Sequence, residues 1–132
     1  MPTYECRTVS VSIDRPWRAV YDFAAQPQNF PRWASGLGAN LVPAGDEWIA
    51  EGPEGRIRIR FSPPNGYGIL DHSVITPKGT EILIPLRVIA NGTGAEVALT
   101  LFRLPDMSPE KFATDAAWVA RDLAALKALL EG

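Results

Sequence analysis

The apolar positions of this chain change their period three times. Residues 4–13 end in Val9, Val11 and Ile13 at alternating positions, the mark of a half-buried strand. From Trp17 the spacing becomes helical, with Trp17, Val20, Tyr21, Phe23 and Ala24 on one side. Asp14 and Pro16 precede them, a helix-start pattern with proline early in the first turn. Pro27 stops this helix. A short second helix is predicted over about Gln28–Trp33, with Pro31 in or beside it, and Gly36 and Gly38 mark a loop after it.

The period then returns to two. Strand-like runs at 38–43, 46–52, 55–62, 67–76, 80–90 and 94–104 are separated by Pro-Ala-Gly, Pro-Glu-Gly, Pro-Pro-Asn-Gly, Pro-Lys-Gly and Asn-Gly-Thr-Gly. Every connection is of hairpin length, which predicts an antiparallel meander. Ser108 as cap and Pro109 at the first helical position open a helix that runs to Glu131. Phe112, Ala116, Val119, Leu123, Leu126 and Leu130 form its apolar stripe, flanked by Ala113, Ala117, Ala120 and Ala124. Lys111, Asp115, Arg121 and Asp122 are expected to face away, and Ala125 to lie on the outer side.

The order predicts one α+β domain over residues 1–132. A seven-stranded curved antiparallel sheet would wrap around the long C-terminal helix, with two short helices after the first strand. A sheet with one apolar face needs a cover, and the last helix carries the matching stripe. A twisted sheet curls, and a curled sheet gripping a helix leaves space between them, where ligands bind.

Alternation assigns faces. Ile57, Ile59 and Phe61 point in while Arg56, Arg58 and Arg60 point to water. Ile82, Ile84, Leu86 and Val88 share one face, as do Val97, Leu99 and Leu101. The run YGILDHSVIT is ambiguous alone, so hairpin register must orient it. Ser62 opposite Tyr67 puts Ile59 opposite Leu70, Ile57 opposite His72 and Arg58 opposite Asp71. Thr76 opposite Thr80 puts His72 opposite Ile84. Both turns send His72 inward. The Pro53-Glu54 turn pairs Glu51 with Arg56 and Glu47 with Arg60, and leaves Trp48 inside beside Ile59.

Composition narrows the chemistry. The 132 residues carry 13 basic and 15 acidic side chains, a net charge of −2, with no basic excess for a phosphate backbone, so no nucleic-acid partner is expected. With 46% hydrophobic and 21% charged residues the chain reads as globular rather than disordered. One cysteine, Cys6, and one histidine, His72, rule out an internal disulfide, a multi-ligand Cys/His zinc site and a catalytic histidine pair. No metal and no cofactor are expected. Gly36-Leu37-Gly38 does not link a strand to a helix as a dinucleotide fingerprint would. The apolar runs are too short to insert in a membrane, and the N-terminus lacks a signal-peptide pattern, so a cytoplasmic monomer or homodimer is the expectation.

His72 is the main candidate for chemistry, as the one side chain that titrates near neutrality. Facing a cavity, it can hold a ligand or act as a general base; equally, it can be a core histidine satisfied by its neighbours. Arg103 continues the inward parity of Val97, Leu99 and Leu101, and fits either a carboxylate contact at a pocket mouth or a strand-end arginine reaching water. Trp48 can stack on a flat ligand or fill the core. Trp33, beside Ser35 and Gly36, can gate a pocket or anchor its helix. Trp118 lies off the stripe and is expected to pack under a loop or at a subunit contact. Leu70, Ile84, Leu99, Leu101, Phe112 and Val119 complete the expected lining. Asp71 points away from its neighbour His72 and forms no dyad with it.

The segments VSIDRPWRAVYDFAAQPQNFPRW, YGILDHSV and FATDAAWVARDLAALKALLE resemble the SRPBCC proteins, the START-like helix-grip superfamily that includes the birch-pollen allergen. The first is typical of bacterial members, and the others look like a small subgroup described as polyketide-cyclase-like. The resemblance implies a sheet wrapped around the C-terminal helix with an apolar cavity between them. It implies three possible activities: binding of a small, largely apolar ligand such as a lipid or polyketide; a cyclase or dehydratase in the same cavity; or a protein-interaction module like the chaperone-ATPase activators. No catalytic motif of the cyclases maps onto this chain residue by residue, and a fold does not fix a function.

Overall fold

The computed structural model describes residues 3–34, 41–52 and 54–132. In chain order its elements are β1 (Cys6–Ile13), α1 (Trp17–Ala24), a 3-10 helix (Pro27–Arg32), β2 (Val42–Ala44), β3 (Glu47–Gly52), β4 (Gly55–Phe61), β5 (His72–Ile75), β6 (Glu81–Ile84), β7 (Leu86–Asn91), β8 (Gly94–Phe102) and α2 (Pro109–Glu131). The single seven-stranded sheet is corrected to two sheets, a three-stranded one ordered β1-β8-β7 and a five-stranded one ordered β2-β3-β4-β5-β6.

Two breaks split the sheet. Pro85 interrupts the run expected at 80–90. Its carbonyl accepts from the Thr100 N–H at 3.0 Å. It has no N–H to return, so pairing with β8 stops there. β6 then pairs with β5 alone, with His72 opposite Ile84 and Val74 opposite Ile82, as the Pro-Lys-Gly turn predicts. The second break is at Asp71. The Leu70 N–H donates to Leu86 O at 2.8 Å and the Val88 N–H donates to Gly68 O at 2.9 Å, so residues 68–70 lie beside β7. Residues 72–75 lie between β4 and β6. Gly68 has φ +73°, and a Cβ there would meet Val88 O at 2.0 Å, so this crossing needs glycine.

The Pro-Pro-Asn-Gly segment forms a wider loop than a hairpin turn. The Asn65 carbonyl oxygen accepts from the N–H groups of Tyr67 and Ile69 at 2.9 and 3.1 Å. Its amide donates to Pro63 O and Ile69 O at 3.0 and 2.9 Å. The Asn65 N–H donates to the Tyr21 hydroxyl at 2.8 Å, tying the loop to α1. The loop closes where the Ser62 N–H donates to Asp71 O at 3.1 Å. The β4–β5 register is corrected accordingly: Ile59 lies opposite Val74 rather than Leu70, and His72 opposite Phe61 rather than Ile57. The slip is even, so each side chain keeps its expected face. The expected Arg58–Asp71 pair does not form, because Arg58 lies opposite Ile75 and donates to Glu47 at 2.9 Å. Glu51 faces Arg56 and Trp48 faces Ile59 as expected.

The second short helix is a 3-10 helix, with Pro27 at its start and Pro31 inside it. The strand expected at 38–43 is found as Val42–Ala44, with Pro43 on an edge strand. Residues 38–40, the Ser35-Gly36-Leu37 loop and Pro53 lie outside the described residues. In α2 the Lys111 N–H donates to the Ser108 hydroxyl at 3.0 Å. Phe112, Ala116, Leu123 and Leu126 are buried along its stripe. Asp115 and Asp122 are half-buried rather than turned away, and Ala125 packs against the core.

Candidate functional site

Three adjoining cavities lie against the five-stranded sheet: α1 and the 3-10 helix close the first, the 3-10 helix and α2 the second, and α2 with β8 the third. The first, about 260 Å³, lies under Tyr21, Phe30, Trp48, Phe61, Leu70 and His72. The second, about 170 Å³, lies between Phe30, Trp33, His72, Val74, Leu99 and Val119. The third, about 330 Å³, is a groove where β6 parts from β8, walled by Ile84, Leu101, Phe112, Trp118 and Val119. Phe30 and His72 separate the first two, and Val74, Ile84 and Val119 separate the second from the third.

His72 is 5% exposed. Its Nδ1 lies 3.0 Å from Leu70 O. A carbonyl can only accept, so Nδ1 carries the proton and Nε2 is the ring's acceptor. Burial holds the His72 pKa below its ordinary value, outweighing the Leu70 carbonyl and the Asp71 charge, so the ring is neutral at pH 7. Phe30 meets His72 edge to face at a centroid distance of 5.3 Å, and meets Trp33 the same way at 4.9 Å. A 3-10 helix repeats every three residues, which brings Phe30 and Trp33 to one side.

Asp71 serves the fold. It accepts from Arg87 through both carboxylate oxygens at 2.9 and 2.8 Å, and from the Leu86 N–H at 2.9 Å. The Arg87 guanidinium holds its carboxyl below the usual range. This clamp bridges the point where the two sheets part.

Of the residues singled out in the sequence, His72, Trp48 and Leu70 share the first cavity. His72, Trp33, Ile84, Leu99 and Val119 share the second, and Ile84, Leu101, Phe112 and Val119 the third. Arg103 lines none of the three. It donates to Met107 O at 2.9 Å and pairs with Glu5 at 3.3 Å. Trp118 is 39% exposed, with the Arg121 guanidinium over its ring at 4.9 Å. Phe30 is a wall residue that the sequence reading did not single out, and Asp122, expected to face away, is a second. The Phe30/Trp33 spacing carried the signal for the first. The second sits on the border of the α2 stripe, where periodicity gives none.

Among the described residues, no group of three or more His, Cys, Asp and Glu side chains is placed to hold a metal ion. No helix there is long and apolar enough to cross a membrane.

No protein-family model and no curated protein matches the sequence. Solved structures do match. A START superfamily protein from Mycobacterium smegmatis superposes with a TM-score of 0.72 at 10% identity, over 96% of this chain and 97% of that one. CalU16 from Micromonospora echinospora gives 0.69 at 14% identity, over 96% and 74%. DynU16, from the dynemicin biosynthetic locus, gives 0.71 at 16% identity over 96% of this chain, which spans 47% of DynU16's length. The chain has the SRPBCC/START-like helix-grip fold.

Proposed function

We propose that this chain binds a small, largely apolar organic ligand, lipid- or polyketide-like, between the five-stranded sheet and α2. One observation carries the reading: a buried, neutral histidine with one ring nitrogen satisfied stands in the shared wall of two apolar cavities. The Phe30–His72 partition sets the size. One or two rings fit a single cavity, and a longer chain needs those two side chains to swing aside. Trp48, Trp33, Leu70, Ile84, Leu99, Leu101, Phe112 and Val119 supply apolar contact, and Arg103 is held at the strand end by Met107 and Glu5. DynU16, from the dynemicin biosynthetic locus, fits this reading by analogy of fold.

A second reading has support from one feature. His72 and Asp122 line the same cavity, which suits acid–base chemistry of the cyclase or dehydratase type with Nε2 as the base. The outer charges of β3 and β4 pair with one another, which gives the protein-interaction reading little support.

The test is calorimetry on the wild type and His72→Leu with a ligand found by thermal-shift screening. Binding should weaken by roughly 1–3 kcal/mol. Unchanged affinity for a ligand bound in the cavity overturns the role of His72. Intact binding with lost turnover of a substrate puts the enzyme first.

A further inference from the structure

We infer that the ion pair between Arg87 and Asp71 is a positioning device for His72: it holds the ring's proton on Nδ1 and so keeps Nε2 an acceptor; this rests on the binding reading above, which uses that nitrogen. A neutral imidazole carries its proton on one of two nitrogens, and the partner that each nitrogen meets decides which. Here the partner is the Leu70 carbonyl, 3.0 Å from Nδ1. Without its hold the two tautomers would compete, and an Nε2–H ring would present a donor where the present one presents an acceptor.

That bond belongs to the crossing between the sheets. In a regular strand the carbonyl two residues back lies in the plane of the sheet while the side chain stands off it, so the two do not meet. At Asp71 the chain passes from beside β7 to its place between β4 and β6, and the Leu70 carbonyl meets the His72 ring. The crossing is held on both sides. The Leu70 N–H donates to Leu86 O at 2.8 Å, and the Asp71 carbonyl accepts from the Ser62 N–H at 3.1 Å and from the Ser62 hydroxyl. The Asp71 carboxylate accepts from the Leu86 N–H at 2.9 Å and from Arg87 at 2.9 and 2.8 Å. Leu86 is therefore bonded to residues 70 and 71 at once, and the planar peptide unit that carries Leu70 O lies between the two anchors. A carboxylate gripped through both oxygens cannot turn, so Arg87 fixes the anchor on the Asp71 side. The Arg87 side chain is 52% exposed, which places this control outside the cavities that His72 lines.

His72 is the one histidine of the chain, so its ring gives the sole imidazole signals. Proton–nitrogen spectra at neutral pH read its tautomer directly, because a protonated and a bare ring nitrogen resonate far apart. The wild type should show a protonated Nδ1 and a bare Nε2. In Arg87→Ala the ratio of Nδ1–H to Nε2–H should fall about fivefold or more, and Arg87→Lys, which keeps a cation on Asp71, should recover most of it. Arg58→Ala removes another exposed ion pair, with Glu47, and should leave the ratio unmoved. Asp71→Asn, whose amide oxygen can still accept from the Leu86 N–H, replaces Arg87→Ala if that variant fails to fold. An unmoved ratio at Arg87, or an equal fall in Arg58→Ala, overturns the positioning role. A wild-type ring with its proton on Nε2 overturns the inference at its first step. Neither result touches the binding reading, which calorimetry on His72→Leu decides separately.

Discussion

The two sheets meet the helices differently. Against the three-stranded sheet, α1, the 3-10 helix and α2 close a continuous core in which Val20, Val97 and Leu126 are wholly buried. Ile13, Leu86 and Val88 belong to the same core. Among the described residues, the five-stranded sheet buries Ala50, Ile57 and Ile59 in a small cluster of its own, and the three cavities lie elsewhere along its inner face. Interiors normally pack to crystal density, so apolar walls left apart mark a place where stability is not the only requirement. The first region holds the fold, and the second leaves room for a ligand.

Volume changes should separate the two regions most strongly. Leu126→Ala, inside the dense core, should cost about 2–5 kcal/mol. Val97→Leu overpacks that core and should cost about 1–3 kcal/mol. Val119→Leu adds the same methylene beside two cavities and should cost well under about 1 kcal/mol. Urea melts of the three variants check the order. Equal penalties for the two valine changes would erase the distinction between the regions.

Acid should reach the hollow region before the dense one. Burial holds His72 neutral with its pKa below the ordinary 6.5, so just below that pH the unfolded chain takes a proton that the folded chain refuses. Its contribution to stability is fully present above about pH 6.5 and is lost as the pH falls through the folded value, at up to about 1.4 kcal/mol per pH unit. His72→Leu should remove this slope between pH 7 and 5.5. Asp71, held low by Arg87, and Glu47, held low by Arg60 and Arg58, act only further into acid. A slope that survives in the variant would contradict a buried neutral histidine.

The dense region was the more legible of the two in the sequence. The α2 stripe and the alternation of Val97, Leu99 and Leu101 rest on local periodicity, and the Ser108 cap on residue type; these stand, whereas the outer face read for Asp115, Asp122 and Ala125 does not. Inward placement of His72 also follows from a local feature, the short Thr76–Thr80 turn. The hollow region depends on longer-range choices. Asn65 builds a loop out of an apparent hairpin turn, and its closure at Ser62 and Asp71 sets the register. Pro85 was visible inside a run read as one strand, and its missing donor argues for a break. What that break opens depends on β8 and α2, which lie far along the chain. Trp33 could be singled out from the sequence, but its unmatched N–H is a property of packing.

The most direct test is a crystal structure of the protein with the tightest-binding member of a small apolar library. The account predicts density for the ligand between the five-stranded sheet and α2, bounded by Phe30, His72, Val74 and Val119, with a polar atom within hydrogen-bonding distance of His72 Nε2. Density only on the outer faces of the sheets or on the exposed side of α2, with these walls unchanged, would contradict it.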